Sequence, residues 1–189
     1  MKAQLASQNR HKLEELQESL PGWQLDLLPA TDYPPEDGET YLDNARIKAR
    51  FGRTVGEPGA WVLGEDSGIE SDALNGEPGL HSARWAPGRD QADALVERLA
   101  GETNRRARMV TELVAISPAG EELRGSGVLE GTLTTEKRGS TGFGYDPIFI
   151  PDGYEQTVAE LGDAWKHEHS HRARAAQALL REYAARGGS

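Results

Sequence analysis

The chain has 189 residues, with 21 Lys and Arg against 31 Asp and Glu, a formal charge of −10. That length suits one domain with a real core, and 37% hydrophobic with 28% charged residues is a globular profile rather than a disordered one. The absence of cysteine removes disulfides, thiolate metal sites and cysteine nucleophiles, and the acidic balance argues against nucleic acid or an anionic membrane as partner.

A small phosphorylated ligand stays open, because a divalent cation can join carboxylates to phosphate. The N-terminus runs from Met1 to Ser7 directly into polar residues, without an apolar stretch long enough for a secretory signal or a membrane span. The expected location is the cytoplasm.

In chain order, residues 2–6 read as a short strand, and Ser7-Gln8-Asn9-Arg10-His11-Lys12 as a polar loop. Leu13, Leu16 and Leu20 recur at helical spacing, and Pro21-Gly22 ends that helix. A weak strand is expected over 23–28. Pro34-Pro35-Glu36-Asp37-Gly38-Glu39 cannot be regular structure, and Thr40 caps a helix whose Leu42, Ala45 and Ala49 form a small-residue face. Residues 61–64 read as a buried strand ending at Glu65-Asp66-Ser67-Gly68, followed by a short extended piece over 69–74.

Asp90 is expected to cap a helix that Gly101 ends. Residues 108–117 and 123–134 alternate apolar and polar around Pro118-Ala119-Gly120, which predicts an antiparallel pair. The glycine loop 139–147 leads into Ile148-Phe149-Ile150, and Thr157 with Glu160 has capping-box spacing. Ser170 can cap a last helix from His171, with Ala173, Ala176, Leu180 and Tyr183 on its inner side and a frayed end over 186–189. Strands mixed with helices, without a linker or repeat, predict one continuous α/β domain built on a mixed sheet.

Chemistry has several candidate positions. Glu65 and Asp66 follow an apolar strand, where α/β sheets place ligands. They suit Mg²⁺, which takes one or two carboxylates plus substrate phosphates, or a carboxylate that deprotonates water; the alternative is a solvated acidic turn. Glu36, Asp37 and Glu39 precede a helix, where the dipole favours acids regardless of function, so only proximity to Glu65 and Asp66 would promote them. Ser7, Asn9 and Lys12 at a strand-to-helix junction suit a phosphate, or plain N-capping. Lys48 is either a second phosphate ligand or a solvated helical lysine.

The loop from Gly139 to Asp146 lacks the ending of a P-loop. Phe143 within it either stacks on a base or plugs the core. His167 and His171 are four apart, but without the residue order of a zinc site. Lys166, His171 and Arg172 read instead as donors near a helix start, aimed at a base carbonyl or phosphate, and Arg84 is a weaker case.

Five stretches in order carry a resemblance: Ala6-Ser7-x-Asn9-x-x-Lys12; Gly38-x-Thr40-Tyr41-x-x-Asn44-Ala45-x-x-Lys48-Ala49; Glu65-Asp66-Ser67-Gly68 on to Ser82-Ala83-Arg84; Gly142-Phe143-Gly144-Tyr145-Asp146-Pro147; and Lys166-x-x-x-Ser170-His171-Arg172-Ala173. Together they resemble the inosine/xanthosine triphosphate pyrophosphatase family. The resemblance implies an elongated mixed β-sheet flanked by helices, in two lobes with a central cleft, and a homodimer. It implies Mg²⁺-dependent hydrolysis of non-standard purine nucleoside triphosphates (ITP, dITP, XTP) to the monophosphate and pyrophosphate.

By position, it makes Asp66 the proton acceptor and a metal-associated carboxylate, with Glu36 and Glu65 as further metal ligands, the register among Glu36, Asp37 and Glu39 staying open. Triphosphate contacts fall on Lys48 and on the loop Ser7, Gln8, Asn9, Arg10, His11 and Lys12. Nucleotide and base contacts fall on Ser67, Phe143, Gly144, Tyr145, Asp146, Lys166, His171 and Arg172. Many relatives carry two aspartates where Glu65 and Asp66 stand, which puts the metal distance of the longer Glu65 in question. Rival readings are a pyrophosphatase for other modified or ordinary nucleotides, a phosphatase releasing orthophosphate, and a nucleotide-binding module without turnover.

Overall fold

A computed structural model describes residues 1–187, so the last two positions of the expected frayed end lie outside the described residues. Six strands form one sheet in the order β2-β1-β3-β4-β5-β6. They are β1 Lys2–Leu5, β2 Gln24–Leu27, β3 Trp61–Ser71, β4 Arg106–Ile116, β5 Glu122–Leu133 and β6 Phe149–Pro151. β1 is parallel to both β2 and β3, whereas β6 is antiparallel to β5, so the sheet is mixed. The helices are α1 Arg10–Ser19, α2 Tyr41–Val55, α3 Gln91–Arg98, α4 Val158–Leu161, α5 Asp163–His169 and α6 His171–Ala185. Among the described residues no helix is long and apolar enough to cross a membrane.

The chain divides into two compact units: residues 1–66, 111–127 and 171 onward, and residues 67–110 with 128–170. In the first unit Leu5, Leu16, Leu20, Leu63, Leu113, Leu123 and Leu179 form a hydrophobic core. Asn9 starts α1 because its side-chain oxygen accepts from the His11 and Lys12 amides, and Thr40 starts α2 by accepting from Asp43. Two close approaches fix the helices on the sheet. A Cβ on Gly64 would lie 2.0 Å from the Ala45 carbonyl oxygen, and one on Gly125 2.1 Å from that of Ala175. Backbone therefore packs on backbone at these points, which the alanine faces of α2 and α6 permit.

In the second unit Ile69, Leu95, Leu99, Met109, Leu133, Ile148 and Phe149 make a separate core. Asp90 caps α3 through the Asp93 amide, and Thr157 with Glu160 forms the reciprocal capping box that opens α4. The hairpin turn between β4 and β5 closes with Ser117 N–H donating to the Glu121 carbonyl, 2.9 Å.

Two elements differ from the sequence expectation. β3 does not stop before Glu65 but runs through Glu65-Asp66-Ser67-Gly68 to Ser71, and only residues 72–74 leave it, as a 3-10 turn. The segment before Ser170, which has no element in the sequence reading, is a helix of its own, α5, and α6 follows it from His171 as expected.

The Gly64 approach is directly testable. Gly64→Ala forces Ala45 and Ala49 away and should lower the unfolding free energy by about 1–3 kcal/mol in urea denaturation. Gly59→Ala, where nothing lies within 4 Å of the added Cβ, should stay within about 0.5 kcal/mol of the parent.

Candidate functional site

Successive side chains of a strand point to opposite faces, and β3 applies this rule to its two acids. Glu65 and Asp66 are both buried, and each has its own set of partners.

On one side, Glu65 meets Lys12 of α1, with Nζ 2.6 Å from Oε2. The Arg172 guanidinium of α6 donates to Glu65 Oε1 from Nε at 3.1 Å and from Nη2 at 3.0 Å. Its Nη1 donates to Glu15, one helical turn after Lys12. Burial alone would raise the Glu65 pKa, but Lys12, Arg172 and Lys48 outweigh it and hold the carboxyl well below its usual range. Burial likewise works against the charge on Arg172, and Glu65 and Glu15 outweigh it in turn.

On the other side, Asp66 Oδ1 accepts from Lys48 Nζ at 2.9 Å, and Oδ2 accepts from Asn44 Nδ2 at 3.1 Å. Lys48 also donates to Glu36 Oε1 at 2.8 Å. The ammonium thus occupies the point where a loop carboxylate and a strand carboxylate converge. Burial raises the Asp66 pKa, and although Lys48 and Asn44 oppose it the carboxyl stays above its ordinary value. Lys48 is raised as well, because Asp66, Glu65 and Glu36 overcome the burial that would lower it.

Glu36 turns inward to Lys48, whereas Asp37 and Glu39 are exposed. Glu65 does not share this place with Asp66: both of its oxygens face cationic side chains. The sequence reading that put Glu65 beside Asp66 as a metal ligand assumed a loop, and the continuous strand separates them. Two carboxylate oxygens meeting around one cation match the hard donor set of Mg²⁺, which takes its remaining ligands from water and phosphate. Among the described residues no group of three or more His, Cys, Asp or Glu could hold a metal by itself.

The other triphosphate candidates lie at the start of α1. Ser7 Oγ accepts from the Asn9 amide at 3.1 Å, and Asn9 is the N-cap, so the capping role assigned to this loop is present. Gln8 is exposed and donates to the Thr31 carbonyl at 3.4 Å; Arg10 and His11 are exposed, His11 lying 3.7 Å from Glu14.

A second group lies wholly in the second unit. Asp146 Oδ2 accepts from the Phe143 amide at 2.8 Å and from Lys166 Nζ at 2.6 Å, and that ammonium sits 4.8 Å from the Phe143 ring centroid. Gly142 and Gly144 both take positive φ, 73° and 60°, which allows the loop to fold around the carboxylate. Phe143 is half-buried, so the ring is not a core plug. The Tyr145 hydroxyl instead donates to the Ser82 carbonyl at 2.9 Å, and burial pushes its pKa up. Ser67 is half-buried in β3, and Arg84 is exposed beside His81.

Lys166 belongs to α5 and turns to Asp146, while His171 and Arg172 are buried in the first turn of α6, with Arg172 committed to Glu65 and Glu15. Two residues with evident roles were absent from the sequence candidates: Asn44 and Glu15. Each shares a helical face with a named lysine, Asn44 with Lys48 at i+4 and Glu15 with Lys12 at i+3, which is the signal that could have found them.

Removing the acid that Lys12 and the buried Arg172 share strands them, at about 3–5 kcal/mol. Glu65→Gln should lose that much unfolding free energy in denaturant with chelator present. The sign of the pH dependence follows from the depressed pKa. Its stabilisation is complete above the unfolded value of 4.5 and fades as pH falls toward the folded one. The parent should therefore lose stability on acidification below pH 4.5 more steeply than the Gln variant.

Known proteins resemble the chain over most of its length. The model of the Ham1 family matches residues 3–182. A dITP/XTP pyrophosphatase of Bdellovibrio bacteriovorus is 46% identical over 152 residues, covering 77% of this chain and 76% of that protein. The structure of the Staphylococcus aureus Ham1 protein superposes with a TM-score of 0.80 at 32% identity, covering 99% of both chains. That of a nucleoside-triphosphatase / dITP/XTP pyrophosphatase from Mycobacterium abscessus gives 0.72 at 40% identity, covering 95% of this chain and 99% of that one. With a fold, a motif order and a family model that agree from end to end, the chain belongs to the Ham1 family.

Proposed function

We propose that the protein is a Mg²⁺-dependent nucleoside triphosphate pyrophosphatase that hydrolyses the non-standard purine nucleotides ITP, dITP and XTP to the monophosphate and pyrophosphate. The observation that carries this reading is the meeting of Glu36 and Asp66 on Lys48, at 2.8 and 2.9 Å. Acids from a loop and a strand, with a lysine between them, form a place for a cation and for phosphate oxygens in an otherwise acidic protein. Glu36 and Asp66 would hold Mg²⁺. When bound, the ion supplies charge neutralisation and Lewis-acid polarisation of the phosphate oxygens.

Asp66 does the proton chemistry. A carboxylate whose pKa is raised by burial is a stronger base than a solvated one. It holds a water, takes its proton as the oxygen bonds to the α-phosphorus, and the α–β anhydride bond breaks with pyrophosphate leaving. Lys48 supplies fixed positive charge where negative charge accumulates; Lys12, the other triphosphate lysine of the resemblance, must release Glu65 to do the same. Lys48 already contacts both acids and can exchange one of them for a phosphate oxygen. The start of α1, next to Lys12, is capped by Asn9, which accepts from the His11 and Lys12 amides, so a phosphate there would displace that cap.

Base selection rests on donors. Hypoxanthine and xanthine present a carbonyl at C6 where adenine presents an amino group, so a donor aimed there is left unpaired by adenine at about 1–3 kcal/mol. Lys166 with the half-buried Phe143 ring provides a cation and an aromatic face of the kind this needs. His171 and Arg172, the latter bound to Glu65 and Glu15, are the other donors that the resemblance gives to the nucleotide. The same proposal includes a homodimer, as the resemblance implies, working in the cytoplasm.

Pyrophosphate release from ITP, XTP and GTP, with and without chelator, tests the reading. It predicts pyrophosphate rather than orthophosphate, ITP and XTP ahead of GTP, and loss of turnover with chelator. Asp66→Asn should lower kcat by about 10²–10⁴-fold. Orthophosphate as product, or an Asn variant with parental turnover, contradicts it.

A further inference from the structure

Asn44 lies in the first turns of α2, 1% exposed, on the same buried face as Lys48. Its side chain has two partners in different segments. Oδ1 accepts from the Gly38 amide at 2.9 Å, and Nδ2 donates to Asp66 Oδ2 at 3.1 Å. The orientation of the amide follows from chemistry: a backbone N–H can only donate and an ionised carboxylate can only accept, so the oxygen must face Gly38 and the nitrogen Asp66. Asn44 is itself held by its own backbone, whose N–H donates to Thr40 O at 3.1 Å beneath the Thr40 cap.

We propose that Asn44 is the positioning residue for Asp66, setting the aim of its carboxylate and the distance between Asp66 and the loop that carries Glu36. Gly38 stands two residues after Glu36, so the Asn44 amide ties the loop acid to the strand acid through one rigid group. It occupies Asp66 Oδ2 and leaves Oδ1 as the oxygen that faces Lys48, which in turn contacts Glu36. Gly38 belongs to the same device. A Cβ there would fall 2.7 Å from Asn44 Oδ1 and 2.9 Å from Asn44 N, so a larger residue pushes the loop off its anchor.

Only a carboxamide serves both ends. An aspartate at 44 keeps the acceptor for Gly38 but sets a carboxylate against a carboxylate. A leucine of the same shape supplies neither partner. The inference rests on the pyrophosphatase reading for its kinetic consequence, but the link itself can be read without turnover.

The experiment compares Asn44→Asp, Asn44→Leu and Gly38→Ala with the parent in two measurements. The first is hydrogen exchange of the residue 38 amide in metal-free protein by NMR. Asn44→Asp should keep parental protection, while Asn44→Leu and Gly38→Ala should exchange at least about 10-fold faster. The second is the steady-state response to ITP and Mg²⁺. All three variants should show a kcat loss or a rise in the half-activating Mg²⁺ concentration of about 10–100-fold, with KM for ITP moving far less.

Asn44→Asp is the deciding variant, because it preserves volume and the loop bond yet loses the donor to Asp66. Parental kcat and Mg²⁺ response in folded Asn44→Asp overturns the proposal. So does parental protection of the Gly38 amide in Asn44→Leu. Should Asn44→Leu not fold, Gly38→Ala reports on the same link from its other end. A parent that releases no pyrophosphate overturns the functional reading instead, and the exchange measurement still decides whether the link exists.

Discussion

The alternation of side chains along β3 is the constraint on which the first unit depends. Because Glu65 and Asp66 are neighbours in a strand, each is buried among different hydrogen-bond partners. Glu65 meets Lys12 and Arg172, and through Arg172 reaches Glu15, so one acid joins α1 and α6 to the sheet. Asp66 meets Lys48 and Asn44 of α2, and through Lys48 meets Glu36. The environments push the two pKa values apart, Glu65 down and Asp66 up, as expected when one carboxylate is structural and its neighbour is kept as a base.

The glycines of the sheet make this arrangement possible. At Gly64 the backbone of α2 reaches the strand at van der Waals distance, one residue before Glu65, which brings Asn44 and Lys48 within hydrogen-bond reach of Asp66. At Gly125 and Gly127 α6 comes equally close, carrying Arg172. The close-packed helices therefore do more than bury apolar area. They set the depth at which charged side chains arrive, in a core where an unmatched charge would be costly.

Much of this was legible in the sequence, and the reason is local. Thr40, Asp90 and the Thr157–Glu160 pair announce helix starts by chemistry that acts within four residues, and each appears where expected. Asp66, Glu36, Lys48 and Lys12 each had a structural alternative locally, and it was their order in the five stretches of the resemblance that singled them out. What was not legible depended on tertiary context. Four residues rich in charge and glycine read as a loop, yet they continue β3 because buried cations on both faces neutralise the acids. Arg172 read as a ligand donor, but nothing within its own segment indicates that Glu65, 107 positions away, will occupy it. The α5 helix was hidden by a run of His and Glu that carries no apolar period.

The division of labour between the two acids is the central claim, and the unfolding free energy of Asp66→Asn in the presence of chelator tests it most directly. Asp66 has a raised pKa, so its ionised form is disfavoured by folding at neutral pH, and a neutral amide relieves that cost while Lys48 keeps Glu36. The account predicts a variant at least as stable as the parent at pH 7, as is common when a residue kept for function is removed. A loss of about 3–5 kcal/mol, the size expected for breaking a buried ion pair, would mean that Asp66 holds the fold as Glu65 does, and would contradict it.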